Sequence, residues 1–245
     1  EHINFNTRRG YGNLVAQWAN DVKVSLNTKV ESIDWSGKEV RVKTNKGSIR
    51  ARCLISTVSN GILAANHIHF EPRLPDWKVD AIHGLPMGAE NKIGVHFTQD
   101  IFSPEDSGYY QVWSDDAHGA YVDVNLVSTN VVTVFIGGRF SKWMEHQGQQ
   151  AAREFALDRI ADIFGNDIRQ SAGRCIATAW CTDPWTLGSY ASANPGQFHQ
   201  RKALPLAIDN KLFFAGEATA RANGTCHGAY WSGIRAAREV SEALN

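Results

Sequence analysis

The sequence predicts a mixed chain of the α+β or α/β kind, and three stretches carry that expectation. Residues 29–51 alternate apolar and polar positions with a period of two, broken by a turn at Asn45-Lys-Gly47. That is the pattern of half-buried antiparallel strands. Residues 92–136 hold four more runs rich in Val, Ile, Tyr and Phe, and a helix-period segment follows. Near the C-terminus an apolar strand, Lys211-Leu-Phe-Phe-Ala-Gly-Glu217, leads through Asn223-Gly-Thr-Cys-His-Gly-Ala229 into an amphipathic helix over 230–240.

Taken in order, Thr7-Arg-Arg-Gly-Tyr-Gly-Asn13 reads as a turn before a short helix at 14–20. Strands are expected at 22–26, 29–35, 39–44 and 48–51, and a short apolar one at 52–58 that ends in Ser59-Asn-Gly61. Pro72, Pro75 and Pro86 punctuate the next stretch, which becomes a connector with short helices. Strands then recur at 92–97, 109–113, 120–126 and 131–136, the longest helix at 149–164, and a strand at 176–180. Asp183-Pro-Trp-Thr-Leu-Gly-Ser-Tyr190 is a loop rich in rings. Two interleaved units are expected, residues 1–86 with 199–245 and residues 87–198.

Composition narrows the function classes. Of the 245 residues, 25 are basic and 25 acidic, so charge offers no argument for nucleic acid or an anionic membrane. No apolar run approaches the roughly 20 residues that cross a bilayer. The compartment is unknown, cytoplasmic or exported. Four cysteines lack Cys-x-x-Cys spacing, which argues against zinc, and no metal is expected. Eight tryptophans are many for this length; most are expected in the core, and a few can wall a flat aromatic ligand.

The C-terminal strand–turn–helix has chemical meaning. A helix that opens after a Gly-rich turn aims unpaired N–H groups and a positive dipole end at whatever lies above it. Phosphates and electron-rich cofactor rings suit such a place. Gly224 and Gly228 allow close approach, and Glu217, where the strand ends, can accept from sugar-like hydroxyls. An ordinary strand–helix unit shares the pattern. The wording is more specific: Ala215-Gly-Glu217 and the following turn resemble the C-terminal FAD-binding segment of the flavin amine oxidases. That family includes monoamine oxidases, polyamine oxidases and lysine-specific histone demethylases, and the resemblance runs along the whole chain.

The resemblance implies the rear part of an FAD-binding domain, interleaved with a mixed-sheet substrate domain backed by helices. It puts Gly216 and Glu217 at the FAD ribose or ribityl chain, and Gly224, Thr225 and Ala229 against the flavin. Lys92 matches the lysine that holds a water at the flavin N5; a solvated strand-edge lysine is the other reading. Tyr190 matches one ring of the cage that guides the amine. Thr225 stands at the second ring's place, as in polyamine oxidases, which opens the slot to longer or secondary amines. Trp180 and Trp185 match tryptophans near the flavin, a place in the core being the other reading for each, and Val30 matches a valine whose backbone meets the adenine. Ser189 replaces the cysteine that tethers FAD in monoamine oxidases, which implies non-covalent FAD. Ser59 departs from the family, which usually has proline there.

A family member should begin with a strand–Gly-x-Gly-x-x-Gly–helix unit for the pyrophosphate. Gly10-Tyr-Gly-Asn-Leu-Val15 lacks the third glycine, and no strand precedes it. The chain therefore resembles the C-terminal half alone, and the N-terminal unit is expected either as a separate chain or as a missing segment. The activity implied is oxidation of an amine to an imine, with hydrolysis to a carbonyl compound and release of hydrogen peroxide when oxygen is the acceptor. An L-amino-acid oxidase, with Arg139 or Arg174 on the substrate carboxylate, and a non-catalytic subunit are the alternatives.

Overall fold

The computed structural model describes residues 7, 9–113, 118–124 and 129–245. In chain order the helix α1 (Tyr11–Trp18) precedes β1 (Val30–Asp34), β2 (Val40–Thr44), β3 (Gly47–Ala51) and β4 (Leu54–Ser56). Next come α2 (Asn60–Ala64), β5 (His69–Glu71) and α3 (Asp76–Gly84). The strands β6 (Glu90–Phe97), β7 (Gly108–Val112), β8 (Ala120–Val124) and β9 (Val131–Gly137) follow, then α4 (Gly138–Phe164) and β10 (Ala172–Ala177). The chain ends with α5 (Gln200–Ala203), β11 (Leu212–Phe214) and α6 (Cys226–Leu244). It divides into two compact units: Glu90–Ala179 with the segment ending at Val24, and Ser25–Ala89 with Trp180–Asn245.

The first unit is an antiparallel sheet ordered β10-β6-β9-β8-β7, with α4 on one face. Alternation decides which face the helix covers. Ile93, Val95 and Phe97 of β6, Val122 and Val124 of β8, and Val132 and Val134 of β9 are all fully buried. Ala152 and Ala156 let α4 approach closely, while Leu157 and Ile160 fill the space beside them.

The expected helix at 149–164 is the second half of α4. Gly148, at φ 85°, breaks the regular backbone there, and a first half from Gly138 precedes it. The sequence reading missed that first half because its apolar residues are sparse. The strand expected at 176–180 ends at Ala177, opposite Ile93; Thr178 still donates its N–H to Lys92 O (2.9 Å), and the chain then turns. Residues 125–126 of another expected strand lie outside the described residues.

The second unit contains a four-stranded sheet ordered β3-β2-β1-β5 and a parallel pair, β4 with β11. The meander is antiparallel, as its alternation demanded, and β5 adds to β1 in parallel. Its core joins Ile33, Val40, Ile82, Leu85, Leu212 and Phe214. The strand expected at 22–26 does not form: those residues make a turn, a bend and irregular backbone, and Val22, Val24 and Leu26 are exposed. No described strand pairs with them, and alternation cannot satisfy backbone groups without a neighbour.

One charged group lies at the centre of this second core. Lys78 of α3 is fully buried and donates to the carbonyls of Leu204 (2.6 Å) and Leu206 (2.7 Å), its ammonium 3.8 Å from the centre of the Phe214 ring. Arg235 of α6 donates to Phe214 O (2.7 Å) and Pro205 O (3.3 Å). The two cations thus satisfy the carbonyls where α5 ends, which no helix bond can reach.

Burial, with the Arg235 guanidinium beside it, pushes Lys78 down to about 7. An unfolded lysine holds its proton to about 10.4. Between those values the unfolded chain binds the extra proton, so stability rises with pH; below about 7 the penalty of the buried charge is fully present. Wild type should therefore gain stability relative to Lys78→Met as pH climbs from 7 toward 10, read as melting temperature against pH. A difference that stays constant over that range would refute the assignment.

Candidate functional site

Parallel strands leave their carboxyl ends on the same side, where ligands of open α/β sheets usually sit. Here β4 and β11 run in parallel with Leu54 opposite Leu212 and Ser56 opposite Phe214. Their ends open into Thr57–Ser59 and Ala215–Thr219, which border a cavity of about 440 Å³. Trp180, Trp185, Met87 and Phe214 supply its apolar lining, and Ala229 of α6 reaches it from the helix. Among the described residues that line it, Glu217 alone carries a charge.

Backbone geometry builds this rim. Gly216 has φ 125°, a conformation open to glycine and strained for other residues. Its N–H donates to the buried Ser232 hydroxyl (2.8 Å), which donates on to Ala229 O (2.7 Å) and ties the strand end to α6. Glu217 bridges two separate segments. Its Oε1 accepts from Ala191 N–H (2.7 Å) and its Oε2 from Gly224 N–H (2.9 Å). Arg201 grips the same segment from the other side, donating to Ala191 O (3.0 Å).

Gly224 takes φ 68°, and a Cβ there would lie 3.5 Å from the Tyr190 ring. The turn and the ring are thus neighbours. Thr225 caps α6: its hydroxyl accepts from Gly228 N–H (3.0 Å) and donates to Ala222 O (2.6 Å). That cap starts the helix at Cys226, four residues before the expected 230. Gly228 is sterically required, because a Cβ would lie 2.0 Å from Ala222 O.

The fold gathers most of the sequence candidates in one place. Gly216, Glu217, Ala229, Trp180, Trp185 and Ser189 line the cavity, while Tyr190, Gly224 and Thr225 adjoin it through the Gly224 turn. Val30, the first residue of β1, packs half-buried on the core and does not line it. Lys92 belongs to the other unit. It is exposed on β6, its ammonium 4.7 Å from the centre of the Phe135 ring and its N–H donated to the Thr178 hydroxyl (2.9 Å). Beside it, buried Asn91 donates to Ser141 Oγ (2.8 Å) and Glu145 Oε1 (2.6 Å). Arg139 and Arg174 are exposed on the same unit.

Ser59 stands where the family usually has proline, and the structure gives it work that proline could not do. Its hydroxyl accepts from Ile62 N–H (3.2 Å), capping α2, and donates to Thr186 O (2.5 Å). A Cβ at Gly61 would sit 2.8 Å from that same Thr186 carbonyl. A serine three residues before Ile62 was the available signal.

A family model described as flavin containing amine oxidoreductase matches residues 3–241. The chain belongs to that family. Rice (Oryza sativa subsp. japonica) Polyamine oxidase 3 is 34% identical over 239 residues, which cover 94% of this chain and 48% of the relative. A possible lysine-specific histone demethylase 1 of Drosophila melanogaster is 26% identical over 266 residues, 96% of this chain and 30% of that one. Cyclohexylamine oxidase from Brevibacterium oxydans IH-35A superposes with a TM-score of 0.81 at 23% identity, covering 96% of this chain and 53% of that one. The fold is therefore that of part of a flavin amine oxidase. This family member spans about half the length of the rice relative. No helix among its described residues is long and apolar enough to cross a membrane.

Two outcomes follow for this rim. Glu217→Gln turns an amide N–H₂ toward one of the two N–H donors, and should lower stability by about 1–3 kcal/mol. An unchanged denaturation midpoint would show that the bridge carries no weight. Gly228→Ala should destabilise markedly, whereas Gly233→Ala, where a Cβ meets nothing within 4 Å, should stabilise α6, by roughly 0.5–1 kcal/mol. Equal effects in thermal melts would contradict the steric argument.

Proposed function

We propose that this chain is the C-terminal half of an FAD-dependent amine oxidase, which oxidises an amine to an imine and releases hydrogen peroxide when oxygen is the acceptor. The observation that carries the reading is the cavity at the carboxyl ends of β4 and β11, with Glu217 on its rim and the capped start of α6 beside it. The donors and acceptors present suit part of FAD. Each Glu217 oxygen takes one N–H and keeps lone-pair capacity for a ribose or ribityl hydroxyl. Trp180 and Trp185 offer flat apolar walls. No lysine or arginine stands among the described lining residues, so a pyrophosphate finds no cation there. A Gly-x-Gly-x-x-Gly unit outside this chain supplies that contact in our reading, which the double length of the rice relative supports.

Bound FAD supplies the electron acceptor for the C–N bond. The chain's own residues bind, orient and desolvate. Tyr190, against the Gly224 turn, gives the amine an apolar wall that disfavours its charged form and so keeps the nitrogen lone pair available. Thr225, small and engaged in the cap, leaves the opposite side open to a longer or secondary amine. Lys92 holds a water for the reaction. Ser189 has no sulfur for a flavin linkage and donates its hydroxyl to Gly88 O (3.0 Å), so FAD is held without a covalent bond.

The protein purified with its N-terminal half should show flavin absorbance, released intact by acid precipitation. A colourless complex, or flavin that stays attached to the precipitate, would overturn the cofactor reading. With flavin bound, Lys92→Met should slow amine oxidation or flavin reoxidation while leaving flavin content unchanged. Matching rates in stopped-flow for both half-reactions would return Lys92 to a surface role. Thr225→Tyr should shift preference toward small arylalkyl amines by about 1–3 kcal/mol in relative kcat/KM. It should also lose helix stability by about 1 kcal/mol with the cap, a cost that Thr225→Ser avoids. An unshifted preference would place Thr225 outside the substrate path.

A further inference from the structure

Lys92 depends on one residue for both of its main-chain hydrogen bonds. Its N–H donates to the Thr178 hydroxyl (2.9 Å), and its carbonyl accepts from Thr178 N–H (2.9 Å). An ordinary antiparallel pair would use the Thr178 carbonyl for the first of these. The hydroxyl takes that place, so β6 stays paired one residue beyond the end of β10 while the chain turns away. A residue bonded to its neighbour on one side of an antiparallel sheet is unbonded on the other. Toward β9, Lys92 and Phe135 therefore form a non-hydrogen-bonded pair, the kind whose side chains approach most closely. The ammonium accordingly lies 4.7 Å from the centre of the Phe135 ring.

The hydroxyl is itself fixed from α4. It donates to Asn91 Oδ1 (2.9 Å), and the buried Asn91 amide donates onward to Ser141 Oγ (2.8 Å) and Glu145 Oε1 (2.6 Å). The Glu145 carboxylate accepts, which turns the amide nitrogen toward the helix and leaves Oδ1 facing Thr178. Gln149 holds the end of β10 in another way. Its amide meets both main-chain groups of Ala177 (2.9 and 2.8 Å), on the edge away from β6. That clamp acts on Ala177, whereas the Thr178 hydroxyl acts on Lys92. A lysine head rides on a flexible four-carbon stem, so its place depends on the backbone beneath it and on the ring it rests against.

We propose that Thr178 is a positioning residue for Lys92: its hydroxyl, locked by Asn91 and α4, sets the backbone from which the ammonium reaches Phe135 and a bound water. This rests on the reading of Lys92 above and deepens it by naming what holds the lysine in place. All of these residues belong to one compact unit.

The test uses the flavin-loaded protein purified with its N-terminal half. Thr178→Val keeps the branched shape and removes the hydroxyl, whereas Thr178→Ser keeps the hydroxyl. Thr178→Val should slow the half-reaction that depends on Lys92 by roughly tenfold to a hundredfold, the scale of a misplaced group. Thr178→Ser should recover most of that rate. In a Lys92→Met background Thr178→Val should add less than about twofold, because residues acting as one unit are not additive. Gln149→Ala should lower the melting temperature through its lost hydrogen bonds but leave both half-reactions within about twofold of wild type. Equal slowing in both backgrounds, no slowing in either, a serine variant as slow as the valine one, or equal slowing by Gln149→Ala would overturn the proposal. The Lys92 Cε resonance, assigned by its loss in Lys92→Met, gives a second readout through the ring-current shift of Phe135. Thr178→Val should move it toward the resonances of exposed lysines. If Lys92→Met leaves both half-reactions unchanged, the reading of Lys92 falls and this resonance alone decides Thr178. A displaced signal sustains the positioning; an unmoved one removes it. Thr178→Ala takes the same measurements if the valine variant does not fold.

Discussion

The rim of the cavity depends on one carboxylate placed between two backbone segments that are far apart in sequence. Glu217 follows a glycine whose φ of 125° swings the chain out of β11. From there it reaches Ala191 on one side and Gly224 on the other. Both partners are main-chain N–H groups, so the bridge specifies backbone position and is indifferent to side-chain identity at 191. Charge-assisted hydrogen bonds of this kind are the stronger class. Through Gly224 the carboxylate also sets the distance between the turn and the Tyr190 ring. Any role for Glu217 toward a hydroxylated ligand is therefore added to a structural one, and loss of one disturbs the other.

The sheet unit illustrates the opposite economy, in which side chains on one surface are interchangeable apolar bulk and those on the other are individual. Facing α4, the strands present mostly valine and isoleucine at full burial. On the reverse face, lysine, aspartate, tyrosine and glycine stand in defined rows. Cross-strand register decides which of them are neighbours, and a slip of one residue would exchange the two faces entirely. The buried Asn91 helps hold that register, because it joins β6 to two side chains of α4 right beside Lys92.

Local pattern was enough for the meander, for the four strands after residue 90 and for the C-terminal strand and helix. In the meander and in β7–β9 the paired strands follow one another in sequence; β11 instead pairs with the distant β4 and was legible from its own apolar run. Residues 22–26 have the same alternation and no partner strand, so the pattern alone misled. The first half of α4 escaped for a different reason: Ser141 and Met144 are its buried positions, too few to make a stripe. At the site, the glycine and glutamate identities drew attention to the Gly224 turn, which Glu217 ties to the rim of the cavity. The Ser59 bond to Thr186 joins residues 127 apart, and the hold of Glu217 on Ala191 joins residues 26 apart. Such partners become visible only when the chain is folded.

Lys78 has a chemical corollary. An amine that sheds its proton near neutrality is neutral for a larger share of the time than an exposed lysine, which stays protonated several pH units higher. This one is sealed behind Phe214 and the end of α5, out of reach of any acylating reagent while the unit is closed. Its rate of acylation is then governed by how often the unit opens, as amide exchange is for a buried N–H. The buried lysine thus times the breathing of the wall behind the cavity, since only the open unit lets it react as an exposed lysine does.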